Sequence, residues 1–136
     1  MSTTLVVGLG CQRGCPASLL LELMEQNLAA HGFLIEAITA LASIDQKSAE
    51  PGLLALATQL ALPLVFFSSA ELADFDAQLS HRSALAFAHT GCHGVAESAA
   101  LALAQRLSGH PGTLLINRSK NRRATFALAG DVPNRR

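Results

Sequence analysis

Tryptophan and tyrosine are absent from the 136 residues, so six phenylalanines are the whole aromatic complement. Aromatic stacking is therefore expected to play only a small part in ligand binding. Charge is sparse as well, at 15% of residues, against a hydrophobic fraction of 50%. That composition packs into a core and excludes a disordered chain. No stretch approaches the roughly 20 unbroken apolar residues that cross a bilayer. The opening MSTTLVVGLG has no basic region, and its apolar run is too short for a signal-peptide core, so a cytoplasmic protein is expected. Three cysteines, Cys11, Cys15 and Cys92, are an odd number at low density. They make no disulfide framework, and all three are expected to be reduced. No G-x-x-x-x-G-K-S/T and no G-x-S-x-G occurs, which removes a Walker-type ATPase and a serine-elbow hydrolase.

The length suits one domain, expected over residues 1–130 with 131–136 as a frayed tail. The net charge is zero, yet its distribution is polar. Residues 1–76 carry Arg13 and Lys47 against eight acids, whereas 77–136 carry eight bases against Glu97 and Asp131. Four of those bases lie in NRSKNRR at 117–123, a local anion site or solvated turn too short to argue for nucleic acid.

Apolar patterning alternates strand and helix. Residues 4–9 read as a strand, and 16–31 as a helix with Leu20, Leu23, Met24 and Leu28 on one face. Pro16 opens that helix, and His31-Gly32 stops it. Residues 34–41 read as a second strand. A helix from about Glu50 to Leu60 follows, and then LVFF at 64–67, a strand with the character of one covered on both faces. Residues 70–79 are a weak helix and 84–88 are ambiguous. A strong helix is expected at 95–107 with Val95, Ala99, Leu103 and Leu107 along one face. TLLIN and ATFALAG close the chain as two strands around the basic turn. The sum is an α/β fold: a mostly parallel sheet of about four to five strands, helices on both faces, and a C-terminal antiparallel hairpin.

In such sheets ligands gather beyond the C-terminal ends of the strands, where loops 8–15, 43–50 and 89–94 are expected to meet. Gly8, Gly10 and Gly14 follow a strand and precede a helix, but their G-x-G-x-x-x-G spacing is not the dinucleotide fingerprint, and Glu36 lies near the start of the second strand rather than its end. A nucleotide-binding regulatory module stays open on that strand–loop–helix context. Cys11, Cys15, His89, Cys92 and His93 invite a metal, but C-x-x-x-C is not a zinc-ribbon spacing and Ser18 stands where a cluster would need a third cysteine. No metal and no cofactor is expected. Taken singly, Glu50 and Glu97 complement the positive ends of their helices, and Asp45 and Lys47 are solvated. Taken with Arg13 beside glycines that free backbone N–H groups, they argue for a site reading anionic groups.

GLGCQRG at 8–14, ASIDQKSAEPGL at 42–53, GCHGVAESAALALA at 91–104 and the terminal TLLINRSK and ATFALA together resemble the CobE/CbiG C-terminal-domain family of cobalamin (vitamin B12) biosynthesis, over about residues 4–129. The motifs that carry it are the glycine loop, S-x-D-x-K-x-x-E before the second helix and G-x-x-x-V-A-E-x-A-A at the third. The resemblance implies a role in carrying or converting precorrins, the methylated tetrapyrroles that become the corrin ring. In fused proteins of that family the full enzyme opens a ring lactone of cobalt-precorrin-5A and releases a two-carbon aldehyde. Precorrins bear many carboxylates, which call for backbone donors and cations. Gly8, Gly10 and Arg13 would form one edge of such a site. Asp45, Lys47, Gly91, Arg118 and Lys120 would form the rest. If the chain is itself a hydrolase or carbon–carbon lyase on a precorrin lactone, Glu97 or Glu50 would be the general base. The partners implied are a precorrin or corrinoid intermediate and other enzymes of the pathway, with no nucleic acid and no membrane.

Overall fold

The computed structural model of the chain describes residues 4–131. Its elements are β1 (Leu5–Cys11), α1 (Ala17–Ala30), β2 (Ala40–Ile44), α2 (Pro51–Leu60), β3 (Leu64–Phe67), α3 (Ser69–Ala73), α4 (Ala84–Thr90), α5 (Val95–Ser108), β4 (Thr113–Lys120) and β5 (Ala124–Gly130). Short 3-10 turns occupy Ile35–Ala37, Asp45–Lys47 and Asp76–Gln78. No described helix is long and apolar enough to cross a membrane.

The five strands form one sheet in the order β3-β2-β1-β5-β4. β1, β2 and β3 pair in parallel, and β5 runs antiparallel to both β1 and β4. β4 therefore points the same way as β1. One edge of the sheet, here called the rim, collects the C-terminal ends of β1 to β4 together with the β4–β5 turn.

Period-two alternation divides the core into two layers. Leu5, Val7 and Leu9 of β1 join Leu41, Phe126 and Leu128 beneath α1 and α2. Val6 joins Ala40, Ala42, Ile44 and Ala129 against α5. Each fully buried Leu or Phe contributes about 1.5–3 kcal/mol by leaving water. The second layer is built of small residues, and that brings α5 close. A Cβ on Gly8 would lie 1.9 Å from the carbonyl oxygen of Ala96, so only glycine lets β1 pass there.

The α/β class, the sheet with its antiparallel C-terminal pair and the helices on both faces agree with expectation; several elements differ in detail. The second strand is Ala40–Ile44 rather than 34–41. Leu34 is 70% exposed, Ile35–Ala37 forms a turn, and pairing with β1 starts only at Ala40. β3 is an edge strand in which Leu64, Val65 and Phe66 are half-buried, so its apolar run does not mean cover on both faces. α5 is not a one-faced helix: Ala96 to Leu103 and Ala104 are all buried, while Leu107 is exposed. β4 continues past TLLIN to Lys120 across two register shifts, which shortens the basic turn to 121–123. Residues 84–88 belong to helix α4, and the weak helix at 70–79 is the five-residue α3 followed by a 3-10 turn. The tail expected at 131–136 lies outside the described residues except for Asp131, whose N–H reaches Thr4 O at 3.1 Å.

Candidate functional site

The loop after β1 turns on Gly14, whose φ of +80° favours glycine. Its N–H donates to Glu50 Oε2 at 2.8 Å, and Glu50 Oε1 lies 3.9 Å from Lys47 Nζ. Glu50 is buried, so this carboxylate ties the first rim loop to the second. The start of α2 also packs closely on the end of the first loop: a Cβ on Gly52 would sit 2.0 Å from the Cys15 carbonyl oxygen.

The β4–β5 turn closes against the same loop. Gln12 N–H donates to Arg123 O at 2.8 Å, and the Arg123 guanidinium donates to Arg13 O at 3.3 Å. Asn121 holds the turn, accepting from the N–H groups of Arg123 and Ala124 at 2.8 Å each. The third loop arrives through Gln46, whose Nε2 donates to Thr90 O at 3.0 Å. Arg13, Lys47, Arg118, Lys120, Arg122 and Arg123 thus stand along one rim.

Glu97 lies below that rim, 1% exposed. Its carboxylate accepts the N–H of Ser80 at 2.7 Å and of Arg118 at 2.8 Å, with His81 N–H at 3.4 Å. Ser80 Oγ also donates to it and lies 2.8 Å from His81 Nδ1. Glu97 therefore binds backbone rather than facing the cations.

Two expected ligand residues are placed elsewhere than the sequence reading had them. Gly8 and Gly10 are buried in the strand ladder, Gly8 against α5 and Gly10 between Thr125 Oγ1 and the Val95 side chain. Their missing side chains admit neighbouring chain and leave no room for a ligand. Asp45 is exposed in its 3-10 turn, and Gly91 caps α4 with φ +77°. The cysteines are all free. Burial, with Cys15 and Glu50 nearby, pushes the Cys11 thiol up to about 11, and burial raises that of Cys15. Neither is a ready nucleophile. Among the described residues no three His, Cys, Asp or Glu side chains are disposed to hold a metal ion.

The ion pairs among the described residues are Lys47 with Glu50, Arg82 with Asp76 and Arg106 with Glu71, and His93 Nδ1 lies 3.1 Å from Asp76 Oδ1. Arg13, Arg118, Lys120, Arg122 and Arg123 have no carboxylate partner among those residues, and the Nε of Arg118 is buried without any partner. Sequence reasoning had singled out the NRSKNRR run but carried only Arg118 and Lys120 into the site. Arg122 and Arg123 were legible in the same run.

Comparison with known proteins adds the family. A family model described as cobalamin synthesis G C-terminus matches residues 5–129. The chain belongs to the CobE/CbiG C-terminal family of cobalamin biosynthesis. It is 40% identical to Protein CobE from Sinorhizobium sp over 93% of this chain and 79% of that one. A crystal structure of CobE, described as a protein from the cobalamin (vitamin B12) biosynthetic pathway, superposes with a TM-score of 0.95 at 45% identity, over 99% of this chain and 95% of that one. The chain is also 32% identical to the cobalt-precorrin-5A hydrolase of Priestia megaterium over 92% of its own length, but spans only 32% of that enzyme.

Proposed function

We propose that the chain binds a precorrin or corrinoid acid along the rim and carries it between enzymes of the corrin pathway. The observation that carries this reading is the set of five rim cations without a carboxylate partner. Folding gains little from gathering like charges, whereas a ring bearing many carboxylates would pair with several at once. Each charge-assisted contact is worth about 1.5–3 kcal/mol. The partly buried Arg118 is the strongest single candidate, because its orphaned Nε has a hydrogen bond still to make. Titration of the chain with hydrogenobyrinic acid, followed by the visible absorption of the ring, tests the proposal. Saturable binding that weakens in Arg118→Glu and Lys47→Glu supports it. No spectral change and no co-elution with any tetrapyrrole acid sinks it.

A second reading, chemistry on a bound precorrin lactone, draws on the similarity to the C-terminal third of a hydrolase and on Ser80, an exposed hydroxyl set between Glu97 and His81. Glu97 or Glu50 would supply the base. Turnover of a precorrin lactone by the isolated chain separates this reading from the carrier, which releases its ligand unchanged.

A further inference from the structure

The rim cations account for the edge of a tetrapyrrole acid but not for its apolar ring faces. Two depressions in the surface do not supply that cover. One, of about 300 Å³ between the starts of α1 and α2, has Glu50 as its sole charged lining residue. The other, of about 470 Å³ between α3 and α5, carries Glu71 and Asp74 against Arg106, which is already paired with Glu71, and none of the unpaired cations lines it.

Among the large exposed hydrophobic side chains, Leu34, Leu54 and Leu107 belong to the opposite sheet edge, the outer face of α2 and the end of α5. Phe87 is different. It is 50% exposed, yet its ring is stacked on His93 at 4.4 Å between centroids and 19° between planes. His93 in turn is fixed: Nδ1 meets Asp76 Oδ1 at 3.1 Å, Arg82 holds the other oxygen of Asp76, and the His93 carbonyl accepts Ser83 N–H at 2.9 Å. A half-exposed aromatic side chain is thus held in one orientation by a polar network rather than by the core. Its helix is joined to the rim by the Gln46–Thr90 hydrogen bond. Two of its helical neighbours, Ala84 and Gly91, are small.

We infer that the Phe87–His93 stack is the seat for one apolar face of the tetrapyrrole ring, whose peripheral carboxylates reach the unpaired rim cations. This rests on the carrier reading above. Charge complementarity selects the occupant, because an exposed aromatic ring on a helix tied to a cation-bearing rim by the Gln46–Thr90 hydrogen bond fits a flat ring edged with carboxylates. The sequence lacks tryptophan and tyrosine, and this pair concentrates what stacking the rim can offer.

The test uses the full chain and hydrogenobyrinic acid, read by absorption and by circular dichroism induced in the ring bands. Phe87→Ala is expected to weaken binding about tenfold or more and to abolish the induced signal, while Phe87→Tyr retains both. Leu85→Ser is the internal control. Leu85 is 71% exposed on the same helix but two residues away, on another side of it. Unchanged affinity and signal in Phe87→Ala, or an equal loss in Leu85→Ser, overturns the seat while leaving the carrier reading intact. A wild-type chain that binds no ring overturns both.

Discussion

Glu97 at the start of α5 accepts the backbone N–H of Arg118 near the end of β4, at 2.8 Å, although the two residues carry opposite charges that could have paired directly. The same carboxylate takes the N–H of Ser80 and of His81. One buried side chain thus pins the Ser80–His81 segment and β4 to the start of α5. Glu97→Gln keeps the shape but puts an amide donor where only acceptors fit, and a lost charge-assisted bond costs about 1.5–3 kcal/mol. Chemical denaturation should show that loss even without ligand. A variant as stable as the wild type would restore Glu97 to consideration as a purely functional group.

Gly8→Ala should be more damaging than its single methyl suggests. The new Cβ would meet the Ala96 carbonyl oxygen at 1.9 Å and the Ala100 nitrogen at 2.8 Å, both backbone, so α5 must shift as a body. Overpacking of this kind costs about 1–3 kcal/mol or more. Thermal unfolding measures it, and a melting temperature within 1 °C or so of the wild type would contradict the close seat of α5.

The α/β class and the helices on both faces were largely legible, because β1, α1, α2, β3 and α5 carry strong apolar patterns and clear stops; the strand order, with β5 inserted beside β1, was not. The second strand was misplaced because LIEAITAL offers a longer run with larger branched side chains, while the true strand is chosen by small residues, Ala40 and Ala42, that fit beneath α5. That preference is tertiary, and no local window contains it. Gly8 and Gly10 were read as loop donors for the same reason: a glycine that admits a ligand and one that admits a helix look alike in sequence. The cations were visible as NRSKNRR. Their lack of carboxylate partners was not, since it depends on where Glu97 and Glu50 turn. The Phe87–His93 pair gave no signal beyond two residues six apart.

Cys11 supplies a pH prediction. Its thiol is pushed from 9.0 up to about 11, chiefly by burial. The unfolded chain loses that proton first, so the folded state gains stability from Cys11 that is complete below pH 9 and drains away as pH rises towards 11. Folded protein at pH 8 should alkylate slowly at Cys11 and denatured protein quickly, by mass spectrometry of the labelled peptide. Equal rates in the two states would mean that the thiol is not shielded.

Charge reversal along the rim gives the sharpest test of the anion site, because a matched control exists on the same protein. Arg118→Glu, Arg122→Glu and Arg13→Glu each change the charge by the same amount as Arg106→Glu, but Arg106 sits in the last turn of α5, paired with Glu71 and lying over the Phe67 ring at 4.4 Å. Arg106 is thus already engaged rather than free, and the Debye length of about 8 Å at physiological ionic strength screens its reversal from the unpaired cations. The three rim variants should weaken hydrogenobyrinic acid binding about tenfold or more each, Arg118→Glu most of all because its Nε is already buried. Arg106→Glu should bind as the wild type does. Raising salt should weaken the wild type more steeply than any rim variant, since each reversal removes one of the contacts that salt screens. Equal losses in all four variants would mean that net charge, and not the rim, governs binding.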